Sequence, residues 1–132
     1  MARRLSFPFR ALGAMACCGI LVALSGTPAW ATAIDRCVPF GCIQGEITIR
    51  GNVTRWDFQV TDVRADGFCA YAKVEIDVGR GPDPVFRSEN ACPRGHTAPL
   101  YGTDAYADTR GARISLCRHD GSCNPIRYER RA

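Results

Sequence analysis

Between residues 34 and 132 the apolar residues alternate with polar ones, and no stretch keeps a 3.6-residue period for three turns. The longest run is Phe68 to Val78. Phe68, Ala70, Ala72, Val74, Ile76 and Val78 share one side, while Tyr71, Lys73, Glu75 and Asp77 take the other. Such alternation predicts a half-buried β-strand. Trp56, Phe58 and Val60 repeat it with Arg55, Asp57 and Gln59 outward, and Ala112, Ile114 and Leu116 do so against Arg113 and Ser115. Shorter candidate strands are Glu46–Arg50, Pro84–Ala91, Thr97–Tyr101, Ala105–Thr109 and Asn124–Arg130.

Turn chemistry separates these runs: Gly51-Asn52, Asp66-Gly67, Gly102-Thr103-Asp104, Arg110-Gly111 and Asp120-Gly121. About eight short strands with frequent turns predict an all-β fold, a single-domain antiparallel β-sandwich, with three disulfides. No repeat, low-complexity tract or linker interrupts it.

The first 33 residues read differently. Arg3, Arg4 and Arg10 form a basic start, Ala11 to Leu24 is apolar or small, and Ser25-Gly26-Thr27-Pro28 breaks any helix. Ala29-Trp30-Ala31 and Ala31-Thr32-Ala33 then fit the small-x-small rule of signal peptidase. Residues 1–33 are therefore read as a signal peptide, cleaved after Ala31 or Ala33, with 34–132 as the secreted domain. The apolar run falls short of the about 20 residues that span a bilayer, so no stable membrane insertion is expected after processing. Cys17 and Cys18 lie in mid-run without lipobox surroundings, and Arg3-Arg4 fits a twin-arginine signal poorly.

Charge then loses its weight. The chain has 17 basic and 13 acidic residues; without the three leader arginines 14 basic groups remain, a net of +1. A near-neutral module has no electrostatic hold on nucleic acid, so none is expected as partner. Arginine outnumbers lysine 16 to 1, which points to a high-GC bacterial genome.

Six cysteines remain after the leader: Cys37, Cys42, Cys69, Cys92, Cys117 and Cys123. In an exported chain they read as a disulfide framework. Pro39 and Gly41 suit a turn that brings Cys37 to Cys42. Asp120-Gly121 suits a hairpin that sets Cys117 across from Cys123. Joining Cys69 to Cys92 asks for a register in which paired positions sum to 161. That register leaves a sensible tip, Gly79-Arg80-Gly81-Pro82, but sets Phe86 opposite Glu75 on the wet face, so either a bulge intervenes or the pairing differs. An immunoglobulin-type bridge, Cys42 to Cys117 around Trp56, lacks the tyrosine two residues before the second cysteine, where Ser115 stands.

Candidate chemistry is sparse. No Gly-x-Ser-x-Gly occurs, oxidised cysteines are not nucleophiles, and His96 and His119 sit at predicted turns with no motif around them. There is no Cys-x-x-Cys pair for zinc and no calcium-loop spacing; Asp104 and Asp108 read as the wet side of a strand with Tyr106. No catalytic residue, metal or cofactor is expected. Tyr71, Tyr101, Tyr106 and Tyr128 are candidates for a binding face. The partner expected is an extracellular protein or glycan.

Two stretches carry a resemblance. Thr61-Asp62-Val63-Arg64-Ala65-Asp66-Gly67-Phe68-Cys69-Ala70, followed by Ala91-Cys92-Pro93-Arg94-Gly95-His96-Thr97, resembles a group of small exported actinobacterial proteins. It covers roughly residues 53 to 120 and implies a disulfide-bonded β-rich module, with Cys69 joined to Cys92. Ala65 to Ala70, leading into an alternating strand, is also similar to the tendamistat-type α-amylase inhibitors, which implies a β-sandwich acting on an extracellular hydrolase. Their Trp-Arg-Tyr triplet is absent here: Asp57 and Phe58 follow Trp56. An inhibitor loop would be Gly79–Pro84 or Arg118–Ser122.

Overall fold

The structure, a computed structural model, describes residues 31–132. The predicted leader, apart from 31–33, lies outside the described residues. Eight strands follow in order: β1 (Ala31–Val38), β2 (Gly41–Arg50), β3 (Val53–Asp62), β4 (Ala70–Val78), β5 (Val85–Arg87), β6 (Thr97–Ala105), β7 (Thr109–Arg118) and β8 (Cys123–Arg130). They form two four-stranded antiparallel sheets, ordered β1-β2-β3-β6 and β5-β4-β7-β8. The inward residues of both sheets meet in one core that includes Ile43, Ile47, Trp56, Phe58, Val74, Ile76, Ile114 and Leu116. The alternation in β3, β4 and β7 thus acts as the sequence predicts, one face on the core and one toward water.

The strand number agrees with expectation, but two members differ. β1 has no counterpart among the predicted strands: only Ile34 of its eight residues is buried, so its edge position leaves a faint pattern. Ala105–Thr109 is no strand. Gly102-Thr103-Asp104, expected to turn, continues β6, and the chain turns instead at Tyr106–Asp108. Packing is the reason. The Trp56 ring lies against Gly102, where an added Cβ would stand 2.6 Å from the ring, so the glycine serves close approach within a strand. Asp108 takes the turn with φ of 64°. Asp104 and Asp108 therefore do not share a strand face.

The β4–β5 ladder resolves the register question. Val74 faces Phe86 and Glu75 faces Val85, so positions sum to 160, whereas Ala70 faces Ala91 at 161. Glu89 and Asn90 together stand opposite Tyr71, one extra residue of the kind that defines a β-bulge. Phe86 thereby turns inward, its ring 4.7 Å from that of Trp56. The 161 register holds beside the cysteines and fails beyond the bulge.

Candidate functional site

Because every pairing is antiparallel, the odd-numbered strands end and the even-numbered strands begin at the same end of the sandwich. Four connections meet there: 39–40, 63–69, 88–96 and 119–122. All three disulfides lie at this end. Cys37–Cys42 closes the β1–β2 hairpin, Cys117–Cys123 closes β7–β8, and Cys69–Cys92 ties the segment before β4 to the segment after β5. The opposite end, with connections 51–52, 79–84 and 106–108, has no disulfide among the described residues.

Further contacts bind the four loops to each other. His119 Nδ1 accepts the Cys69 N–H at 2.7 Å, and the His119 N–H donates to the Cys69 carbonyl at 2.9 Å. An accepting Nδ1 leaves the ring proton on Nε2 in the neutral tautomer. The Phe68 and His119 rings are 5.3 Å apart, and the Arg118 guanidinium lies 4.4 Å from the Phe68 centroid and 6.0 Å from that of Phe40. Arg118 also meets Asp120 at 2.5 Å. The Ser122 backbone N–H, helped by Arg118, holds the Asp120 carboxyl below its ordinary range. Asp62 receives Gly95 N–H on its carbonyl at 2.7 Å and gives its own N–H to His96 at 3.1 Å.

Between the 63–69 and 88–96 segments lies a cleft of about 390 Å³. Phe68, Pro93 and the Cys69–Cys92 bridge supply apolar walls, with Asp62, Arg64 and Arg94 around them. Asp62 is 2% exposed, and its Oδ1 accepts the Arg64 N–H at 3.1 Å. Arg94 is exposed, and its guanidinium has no ion pair or hydrogen bond among the described residues. The arrangement offers an apolar slot beside a free cation on a covalently fastened frame. Such a frame suits recognition, since fixed loops lose little entropy on docking.

The other sequence candidates scatter. Tyr71 is not exposed: Arg87 covers its ring at 3.7 Å, leaving 8% accessible. Tyr128 gives its hydroxyl to Asp77 and Tyr106 gives its hydroxyl to Asp104, contacts that raise both phenols above their ordinary range. Tyr101 alone of the four stands free, 75% exposed, on the far face of the first sheet. Neither His96 nor His119 meets a carboxylate or hydroxyl through its ring among the described residues. The loop Gly79–Pro84 sits at the unbridged end beside a depression of about 550 Å³. Sequence reading missed Asp62, Phe68 and Arg94; extending the Trp56, Phe58, Val60 parity by one step would have placed Asp62 inward.

Fold and bridges together define a disulfide-stabilised β-sandwich domain. Compared with family models, curated proteins and solved structures, the chain matches none.

Proposed function

We propose that this is an exported, non-catalytic binding module whose bridged end contacts an extracellular partner. The observation that carries this reading is the gathering of all three disulfides at the end where four loops surround the Phe68–Arg94 cleft. Disulfides form and persist in oxidising surroundings, in keeping with export. Of the two cleavage positions, Ala31 is the one supported by Thr32, which pairs with Ile47 in β1 and donates its hydroxyl to Glu129 at 2.8 Å, contacts that cleavage after Ala33 would remove.

The test is capture from spent culture medium on the immobilised mature protein. The wild type retains a partner, and Arg80→Glu at the opposite end retains it too; Phe68→Ser combined with Arg94→Glu loses it. Equal capture by the double variant would refute the assignment.

One observation favours a more specific role, inhibition of an extracellular hydrolase. Loop Arg118–Ser122 is closed by Cys117–Cys123 and pinned by His119 to Cys69, which gives a rigid exposed projection. It also accords with the likeness to tendamistat-type inhibitors. Micromolar inhibition of an α-amylase or a serine protease, lost when Asp120 and Gly121 are replaced, supports this role; no inhibition across a panel of both classes removes it.

A further inference from the structure

One carboxylate at the bridged end is left half satisfied. The inward parity of β3, set by Trp56, Phe58 and Val60, carries the Asp62 side chain into the mouth of the sandwich, where the residue is 2% exposed. Its Oδ1 accepts the Arg64 N–H at 3.1 Å, and its Oδ2 has no hydrogen bond or ion pair among the described residues. Among those residues the side-chain atoms both sealed and unpaired are Thr54 Oγ1 and Trp56 Nε1. Oδ2 is not one of them, so it keeps an opening to solvent. The space that Asp62 borders is the cleft of about 390 Å³.

The lining of this cleft changes character with depth. Buried Asp62 forms the floor. Half-buried Phe68 and the Cys69–Cys92 bridge form apolar walls, and exposed Pro93 continues them outward. Arg94 stands exposed at the rim without an ion pair, whereas the other rim cation, Arg64, has Asp66 at 4.0 Å. A ligand entering end-on meets a cation, then an apolar passage, then a carboxylate oxygen that lacks a donor. Its complement is an anion outside, an apolar stem within and a donor at the tip.

A carboxylate drawn out of bulk water is costly unless it is paired and hydrogen-bonded. A lysine side chain meets both inner requirements: its methylenes lie along apolar surface, and its ammonium brings positive charge and donors. Arginine fits less well. Its planar fork matches two presented oxygens, and Asp62 Oδ1 is already engaged by the Arg64 N–H. A neutral hydroxyl donates but leaves the charge unpaired. The outer anion is an aspartate or glutamate next to the lysine, within reach of Arg94.

We infer that the cleft is a lysine socket: it takes a lysine side chain of the partner protein onto Asp62, while Arg94 holds an acidic residue beside that lysine. This rests on the proposal that the bridged end is the contact surface, and it names what the partner presents there.

Titration of acetyl-Ala-Lys-Glu-Ala-amide into the mature protein, followed by amide chemical shifts, tests this. Saturable shifts at millimolar peptide should map to Arg64, Phe68, Cys69 and Arg94. Norleucine or Nε-acetyl-lysine in place of the peptide's lysine, or Asp62→Asn in the protein, should weaken binding about tenfold or more, the loss of one hydrogen bond to a charged group. Arginine in that place should also bind more weakly. Arg94→Glu should lose the Lys-Glu peptide and gain its Lys-Lys counterpart, an exchange that misfolding cannot mimic. Absence of saturable shifts, equal binding of the norleucine peptide, or shifts confined to other surfaces would overturn the inference. Capture from culture medium separates the two levels. Capture that survives acetylation of the medium's amines, yet is lost in the Phe68→Ser, Arg94→Glu double variant, would keep the contact end and remove the lysine.

Discussion

Ser88 and Ala72 face each other through two hydrogen bonds of different kinds. The Ser88 N–H donates to the Ala72 carbonyl at 2.9 Å, and the Ser88 hydroxyl oxygen accepts the Ala72 N–H at 3.0 Å. A side chain thus substitutes for the carbonyl that the bulge carries away. This local repair lets one strand present Phe86 to the core and still deliver Cys92 to Cys69.

Ser88→Ala leaves the Ala72 N–H, on a fully buried residue, without an acceptor. An orphaned buried donor costs about 1–3 kcal/mol. Urea unfolding should show a loss in that range with an unchanged slope. Ser88→Thr, which keeps the oxygen, should recover part of it.

Glycines at two positions should respond very unequally to alanine. Gly45→Ala collides with the β3 backbone as well as adopting an unfavourable φ, so it should fall among the rare changes above about 4 kcal/mol and reduce the yield of folded protein. Gly51 has φ of 60° in the first position of a two-residue hairpin turn, with open space around it. Its replacement should cost about 1–2 kcal/mol, the strain of a left-handed alanine. Thermal unfolding of both variants checks the contrast.

The three bridges should contribute unequally. Chain-entropy reasoning gives about 3 kcal/mol for Cys69–Cys92, which spans 23 residues, against about 2 kcal/mol for Cys37–Cys42, which spans 5. Paired alanine replacements compared by denaturant unfolding test the order. Equal losses would place the stabilisation in native contacts instead.

Alkaline titration has a definite sign. Tyr106 and Tyr128 have folded-state pKa values raised above 10, first by their hydrogen bonds to Asp104 and Asp77. A raised value means that the folded state holds the proton longer than the unfolded chain does. The contribution to stability is therefore full below pH about 10 and is lost as pH rises through the folded values. Absorbance at 295 nm should show two phenols ionising late. Asp77→Asn should return Tyr128 toward the ordinary range and leave Tyr106 late.

How far the sequence reveals this molecule depends on which information is local. Strands β3, β4 and β7 are legible because each buries one face, and period two then records itself in Trp56, Phe58, Val60 and in Val74, Ile76, Ile114. β1 is not, since an edge strand with Ile34 as its one buried residue leaves almost no alternation. The β6 turn is misread because Gly102 serves Trp56, a neighbour 46 positions away that no local rule sees. The bridged end is half legible. Cysteines in or beside turns can be read off the chain, but their convergence follows from two sheets sharing one strand direction.

Hydrogen exchange before and after reduction tests the central claim most directly. In the oxidised protein the amides of Cys69, Ala91, Gly95 and His119, which hold the loops of this end to each other and to the ends of β3 and β4, should exchange slowly. Reduction of the disulfides under native conditions should speed these amides far more than those of Gly79 and Tyr106 at the unbridged end. Equal acceleration at both ends, or rapid exchange of the bridged loops before any reduction, would contradict the account.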